Sequence, residues 1–106
     1  MKKLTLRDAM QAVAAKETIY ARLLREPSGD IGFYRPRVDD AQGPHLRDEV
    51  YIVASGHGTF ICGGERAPCQ AGDAFFVARG VAHRFEEFSD DFATWVIFLG
   101  PAPASP

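Results

Sequence analysis

The sequence predicts an all-β domain, a barrel or sandwich, preceded by one short helix. Three observations carry this. Short β-forming runs recur at regular spacing from Thr18 to Leu99. Glycine-bearing turns separate them: Ser55-Gly56-His57-Gly58, Gly63-Gly64, Ala71-Gly72-Asp73 and Arg79-Gly80-Val81. No strand–helix–strand alternation, internal repeat or linker breaks the pattern, and 106 residues suit one domain with a modest core.

Taken in order, Thr5-Leu6-Arg7-Asp8 has the form of a capping box. A Thr side chain accepts a backbone N–H there, and an acid favours the positive end of a helix. Leu6, Ala9, Met10 and Val13 follow at helical spacing, so a helix is expected from about residue 6 to 15, covering one edge or mouth of the β-body. Thr18–Leu24 reads as a strand, Glu26–Asp30 as a turn and Ile31–Arg35 as a second strand. Residues 37–44 form a polar loop, and Val50–Ala54 is a strand ending in the Ser55–Gly58 turn. Thr59–Cys62 and Glu65–Cys69 make a hairpin about Gly63-Gly64. Ala74–Ala78, His83–Glu86 and Phe92–Leu99 complete the strands, so the barrel runs from about 18 to 99. The Pro/Ala-rich tail 100–106 is expected to be disordered.

Composition limits the function classes. The net charge of −2 provides no basic footprint, which argues against nucleic acid as a partner. No apolar run reaches membrane-spanning length, so no membrane partner is expected. Arg7 and Asp8 interrupt the apolar run that a signal peptide after Lys2-Lys3 would need, which points to the cytoplasm. In the hairpin register Cys62 pairs near Glu65 and away from Cys69, so the two cysteines are expected as reduced thiols. They lack the close second Cys or His of a zinc site.

The segment Gly43–Gly56 concentrates the chemistry. It holds His45, Asp48 and Glu49 ahead of the β-run from Val50. Transition metals take imidazole nitrogen and carboxylate oxygen at about 2.0–2.2 Å. On a straight strand His45 and Glu49 lie roughly 13 Å apart, too far to share an ion. Sharing one therefore requires a bend at Leu46-Arg47-Asp48, with Glu49 opening the next strand. The bland alternatives are a buried, hydrogen-bonded His83 and a Glu49 that merely partners Arg47. His57, between two glycines, reads as a turn residue. Asp48, Glu86-Glu87 and Asp90-Asp91 read as solvated charge.

This stretch resembles the first signature of the cupin superfamily, where two histidines one residue apart precede a glutamate and a glycine closes the motif. His45, Glu49 and Gly56 match, while Gly43 stands at the first histidine. The second signature is matched at Gly72, Gly80 and His83, with Ala78 in place of its proline and Glu87 in place of its asparagine. The resemblance runs from about Ile31 to Leu99. It implies a double-stranded β-helix, or jelly-roll barrel, with His45, Glu49 and His83 as metal ligands. Such a two-histidine, one-carboxylate set suits non-haem Fe(II), and Zn, Ni, Mn or Cu also fit it. Gln42, Arg47, Tyr51, Phe76 and Trp95 are candidates to line the pocket, with Arg47 able to hold an anionic group. The last three are more often core than substrate contacts, though small barrels also line their cavities with such residues.

The resemblance implies three functions. One is a metal-dependent enzyme of dioxygenase or isomerase type acting on a small oxygenated or aromatic molecule. The second is a non-catalytic barrel that binds or senses a small ligand, favoured by the substitutions at Gly43 and Glu87. The third is a barrel with a degenerate site. A homodimer is expected from the family and from uncovered strand edges.

Overall fold

The computed structural model of the protein describes residues 1–15, 18–38 and 43–103. The helix α1 (Leu6–Ala15) begins where the capping residues place it: the Asp8 amide donates to Thr5 Oγ1 at 3.0 Å. Eight strands follow: β1 (Tyr20–Glu26), β2 (Gly29–Tyr34), β3 (Glu49–Ser55), β4 (His57–Cys62), β5 (Glu65–Gln70), β6 (Ala74–Val77), β7 (His83–Glu86) and β8 (Ala93–Leu99). They form a five-stranded sheet in the order β1-β2-β8-β3-β6 and a three-stranded sheet in the order β5-β4-β7. Every described pairing is antiparallel.

Strand alternation decides what faces the interior. On β3, Glu49, Tyr51 and Val53 are buried while Val50 and Ile52 are half-exposed. Tyr51 meets Phe85 edge-on at 5.1 Å and Phe60 at 5.6 Å, and Phe92 stacks behind Phe85 at 4.9 Å, joining the two sheets in one core. Helix α1 covers the other face of the five-stranded sheet near β1 and β2. There Ala9 and Val13 bury against Ala21, Phe33 and Ala93.

Three expectations on element bounds are corrected. The first strand starts at Tyr20 and runs to Glu26, and its turn shrinks to Pro27-Ser28. Asp30 is therefore no turn residue. It sits in β2, 2% exposed, held by an ion pair with Arg47. Ser55–Gly58 is not a four-residue turn either, because β3 passes to β4 through Gly56 alone. Gly56 has φ +74°, and a Cβ there would lie 2.5 Å from Ser89 Oγ. The Ser89 region packs beneath this crossing, with the His57 amide donating to Ser89 Oγ at 3.0 Å. The tail is tied down at its start: the Gly100 amide donates to Ser28 O at 2.9 Å. Residues 104–106 lie outside the described ones.

The hairpin about Gly63-Gly64 has the expected register, with Cys62 opposite Glu65, and both cysteines are free thiols. Burial raises the pKa of each thiol, and the carboxylates of Glu65 and Glu49 add to the effect at Cys62. No described helix is long and apolar enough to cross a membrane.

Candidate metal centre

His45 lies just before β3, and the chain bends at Leu46 and Arg47 as the spacing argument required. The bend folds His45 back over Glu49, the first residue of β3. His83 opens β7 on the facing sheet, opposite Cys62. Two hydrogen bonds fasten the His45 segment to the turn before His83. The Gly80 amide donates to His45 O at 2.8 Å, and the Arg79 amide donates to Asp48 Oδ1 at 2.8 Å. Asp48, read from sequence as solvated charge, is thus half-buried and structural.

One ligand atom from each of His45, Glu49 and His83 lies within 4.8 Å of the others. His83 Nε2 is 2.7 Å from Glu49 Oε1, and His45 Nε2 is 3.8 Å from the same oxygen. His83 Nδ1 lies 2.8 Å from Val81 O. A carbonyl can only accept, so Nδ1 carries a proton and Nε2 is the nitrogen that faces Glu49. Backbone carbonyls commonly orient metal-bound imidazoles in this way. Tyr51 OH lies 3.0 Å from His83 Nε2 and donates to Glu49 Oε1 at 3.4 Å, so it touches both groups. Glu49 Oε2 is buried and has no hydrogen-bond partner among the described residues.

These observations test the fit of a cation. Three Lewis bases converge, one carboxylate oxygen is unsatisfied, and the imidazole at the centre has its far nitrogen fixed. A carboxylate buried this deeply is costly without a positive charge beside it, which a bound cation would supply. The donor set therefore fits a divalent transition metal. The side chains of Glu49 and His83 are fully buried, whereas that of His45 is 32% exposed and marks the wet side. Gly43, at the position of the family's first histidine, offers no side chain, and a Cβ there would meet nothing within 4 Å.

A cavity of about 360 Å³ opens beside His45. Tyr51 and Arg47 line it, as the sequence suggested, and so do Tyr20, Tyr34, Val96 and Phe98. Arg47 is committed within the fold. Its Nη2 pairs with Asp30 Oδ2 at 3.0 Å, its Nη1 donates to Gly100 O at 3.3 Å, and its guanidinium lies 4.8 Å from the Phe98 ring centre. Its charge, which the sequence suggested for an anionic group, is thus already met within the fold by Asp30.

The structure does not bring Phe76 or Trp95 to this cavity. Phe76 pairs with Val50, on the opposite face from Glu49 and Tyr51, and is 62% exposed. Trp95 pairs with Ile52 on that same outer face and meets Phe33 edge-on at 5.2 Å. Gln42 lies outside the described residues. His57 is exposed at the start of β4, and Glu86 and Glu87 form surface pairs with Arg66. The hydrogen bond from Arg84 holds the Glu86 carboxyl below its usual range.

Sequence reasoning missed Tyr20, Tyr34, Asp30, Val96 and Phe98. The signal for Tyr34 and Asp30 was present as alternate positions of one strand, but which face was inner needed the register. Gly32, between them, carried a further hint. A Cβ there would lie 2.6 Å from Tyr20 Cε1, so the glycine makes room for the Tyr20 ring. Burial, and next the Asp30 charge, raise the Tyr20 pKa.

Comparison with known proteins agrees with this architecture. The family model for the cupin domain matches residues 36–99. An uncharacterised protein of Streptomyces coelicolor is 35% identical over 103 residues, covering 95% of this chain and 98% of its own. Among solved structures, KdgF from Halomonas sp. superposes with a TM-score of 0.68 at 17% identity, covering 78% of each chain. Salicylate 1,2-dioxygenase from Pseudoaminobacter salicylatoxidans superposes with a TM-score of 0.69 at 16% identity, over 87% of this chain and 30% of that one. At such identities the structural likeness speaks for the fold alone. The length of the family match and the close relative go further: the chain belongs to the cupin family.

Proposed function

We propose that this cupin holds a divalent transition metal (Fe, Zn, Ni or Mn) on His45, Glu49 and His83. We further read it as a metal-dependent enzyme, of dioxygenase or isomerase type, acting on a small oxygenated or aromatic molecule. The convergence of His83 Nε2, Glu49 Oε1 and His45 Nε2, with the His83 proton held on Nδ1, carries the metal reading. A bound ion would supply Lewis acidity or a meeting point for dioxygen and a chelating substrate. The residues around it do the rest. Val81 O fixes the His83 ring, Phe98 and Tyr51 flank the ligands, and the exposed side of His45 leads into the cavity. The aromatic lining favours a flat, partly apolar molecule.

Metal loading tests this directly. The chelator-stripped protein is expected to melt several degrees higher when Fe(II), Ni(II), Mn(II) or Zn(II) is restored. Ligand at a hundredfold excess over Kd stabilises by about 2.7 kcal/mol. A purified protein that contains no metal and gains nothing from any of the four ions would sink the reading.

The absence of a side chain at Gly43 favours a second reading, a barrel that binds or senses a small ligand without turning it over. Turnover that depends on Glu49, with any substrate, would reject it. The two free thiols fit a reducing compartment, so the reading places the protein in the cytoplasm.

A homodimer also belongs to this proposal. Leu24, Ile31, Ile97, Val50 and Phe76 are register partners in turn, forming one uncharged row across all five strands of the larger sheet. A second copy packed on this outer face would cover the row. Wild-type protein is expected to sediment as a dimer and Val50→Lys as a monomer that still takes up metal. A wild-type monomer at every concentration tested would end this part of the proposal.

A further inference from the structure

The charged groups that line the cavity are not alike in their commitments. Asp30 and Arg47 neutralise one another at 3.0 Å, and Arg47 is further engaged by Gly100 O and Phe98. Arg22 lines the same cavity, is exposed, and has no ion pair or hydrogen bond among the described residues. The wall therefore carries one uncommitted positive charge.

The local backbone explains why that charge faces the cavity. On β1, Tyr20 and Arg22 lie on the inner face, while Ala21 is buried beneath the helix. Simple alternation would place Leu24 next on the inner face and close the cavity with an apolar side chain. The ladder instead slips between Arg22 and Leu24. A bulge of this kind re-aims the side chains beyond it. Leu24 pairs with Ile31 on the outer face, and Arg22 is the last residue of β1 to line the cavity. Opposite Arg22 stands Gly32, whose missing side chain admits the Tyr20 ring. Arg22 and Tyr20 thus line a slot whose other charged groups, Asp30 and Arg47, pair with each other, and His45 lines it too.

We propose that this cavity selects small carboxylate-bearing molecules. The Arg22 guanidinium would hold the carboxylate, assisted by Tyr20 OH, while an oxygen donor elsewhere on the molecule reaches the His45–Glu49–His83 site. A planar guanidinium matches a carboxylate with two parallel hydrogen bonds. The volume of about 360 Å³ is at the small end of the ligand-pocket range, so the molecule is a single ring or its equivalent in size. This inference rests on the metal reading for one end of the ligand and on Arg22 for the other, and the two ends are separable.

Protocatechuate and its neutral amide serve as probes, since they share a catechol pair and differ in charge. Calorimetry with Ni(II)-loaded wild-type protein is expected to show the acid bound at least about tenfold more tightly than the amide, the scale of a hydrogen-bonded charge. Arg22→Gln is expected to abolish that preference while leaving amide affinity and melting temperature unchanged. Arg22→Lys is expected to restore part of it. Equal affinity for acid and amide in wild type, or a preference that survives Arg22→Gln, overturns the proposal. Metal content is measured on the same samples. If no ion binds, the acid-to-amide comparison is repeated on the metal-free protein. An Arg22-dependent preference there would uphold the anion subsite while the metal reading fails, and its absence would overturn both.

Discussion

Glu49→Gln is expected to melt above wild type in the metal-free state and to lose metal binding. Glu49 is a fully buried carboxylate whose Oε2 has no partner and whose Oε1 is crowded by His83 Nε2 at 2.7 Å. An amide of nearly the same shape removes the buried charge and turns one acceptor into a donor. Its side-chain amide can face His83 Nε2 in place of the carboxylate. The unpartnered oxygen stays, now as a neutral carbonyl, and the gain comes from removing a fully buried charge, so about 1–2 kcal/mol is expected in urea titrations of chelator-treated protein. The neutral amide is a poor ligand. Loss of an outer-shell partner alone costs about 10–100-fold in metal affinity, and loss of the carboxylate is expected to exceed that range. Such opposite signs are the mark of a site kept for function at the expense of stability. A glutamine variant that binds metal like wild type would remove Glu49 from the ligand set.

Arg47→Met is expected to be among the most destabilising single changes in the protein. It strips the partner from Asp30, which is 2% exposed and whose Oδ1 already lacks a hydrogen bond. Breaking a buried pair from one side costs about 3–5 kcal/mol because the remaining charge is uncompensated. The Arg47 side chain keeps some solvent contact, so about 3 kcal/mol is expected. The methionine stem still packs on Phe98, which separates the charge effect from lost volume. The double variant Asp30→Asn with Arg47→Met is expected to recover most of the loss. If the two single changes simply add in denaturant titrations, the pair is not coupled as described.

Much of the fold was legible because the strands are short and punctuated. Gly63-Gly64 fixes a hairpin, and its register follows by counting outward to Cys62 and Glu65. The candidate ligands came from the resemblance, and the spacing added one condition. Once Val50–Val53 is a strand, His45 and Glu49 can meet only if the chain bends between them, and it does. Long-range register was not legible. Phe76 and Trp95 look like cavity residues in sequence, yet their partners Val50 and Ile52 set them on the outer face. Asp30 looked like a turn residue because Pro27, Ser28 and Gly29 surround it. Only Arg47, seventeen residues away in the chain, draws it into the sheet. The bulge after Arg22 depends on pairing with β2, which no local pattern in β1 announces.

The two hydrogen bonds that join Arg79 and Gly80 to the His45–Asp48 segment bear on how the site is filled. They hold both histidine-bearing segments in place through backbone groups and one carboxylate, none of which is a ligand. The geometry is therefore paid for during folding, before any ion arrives. Uptake of an ion at the proposed site would then resemble docking into a rigid socket, with an expected small change in heat capacity because little apolar surface changes its exposure. The same rigidity would set selectivity. A socket that cannot relax discriminates by the size and preferred geometry of the ion, so the choice among metals would be made by the barrel's backbone as much as by the three side chains proposed to hold the ion.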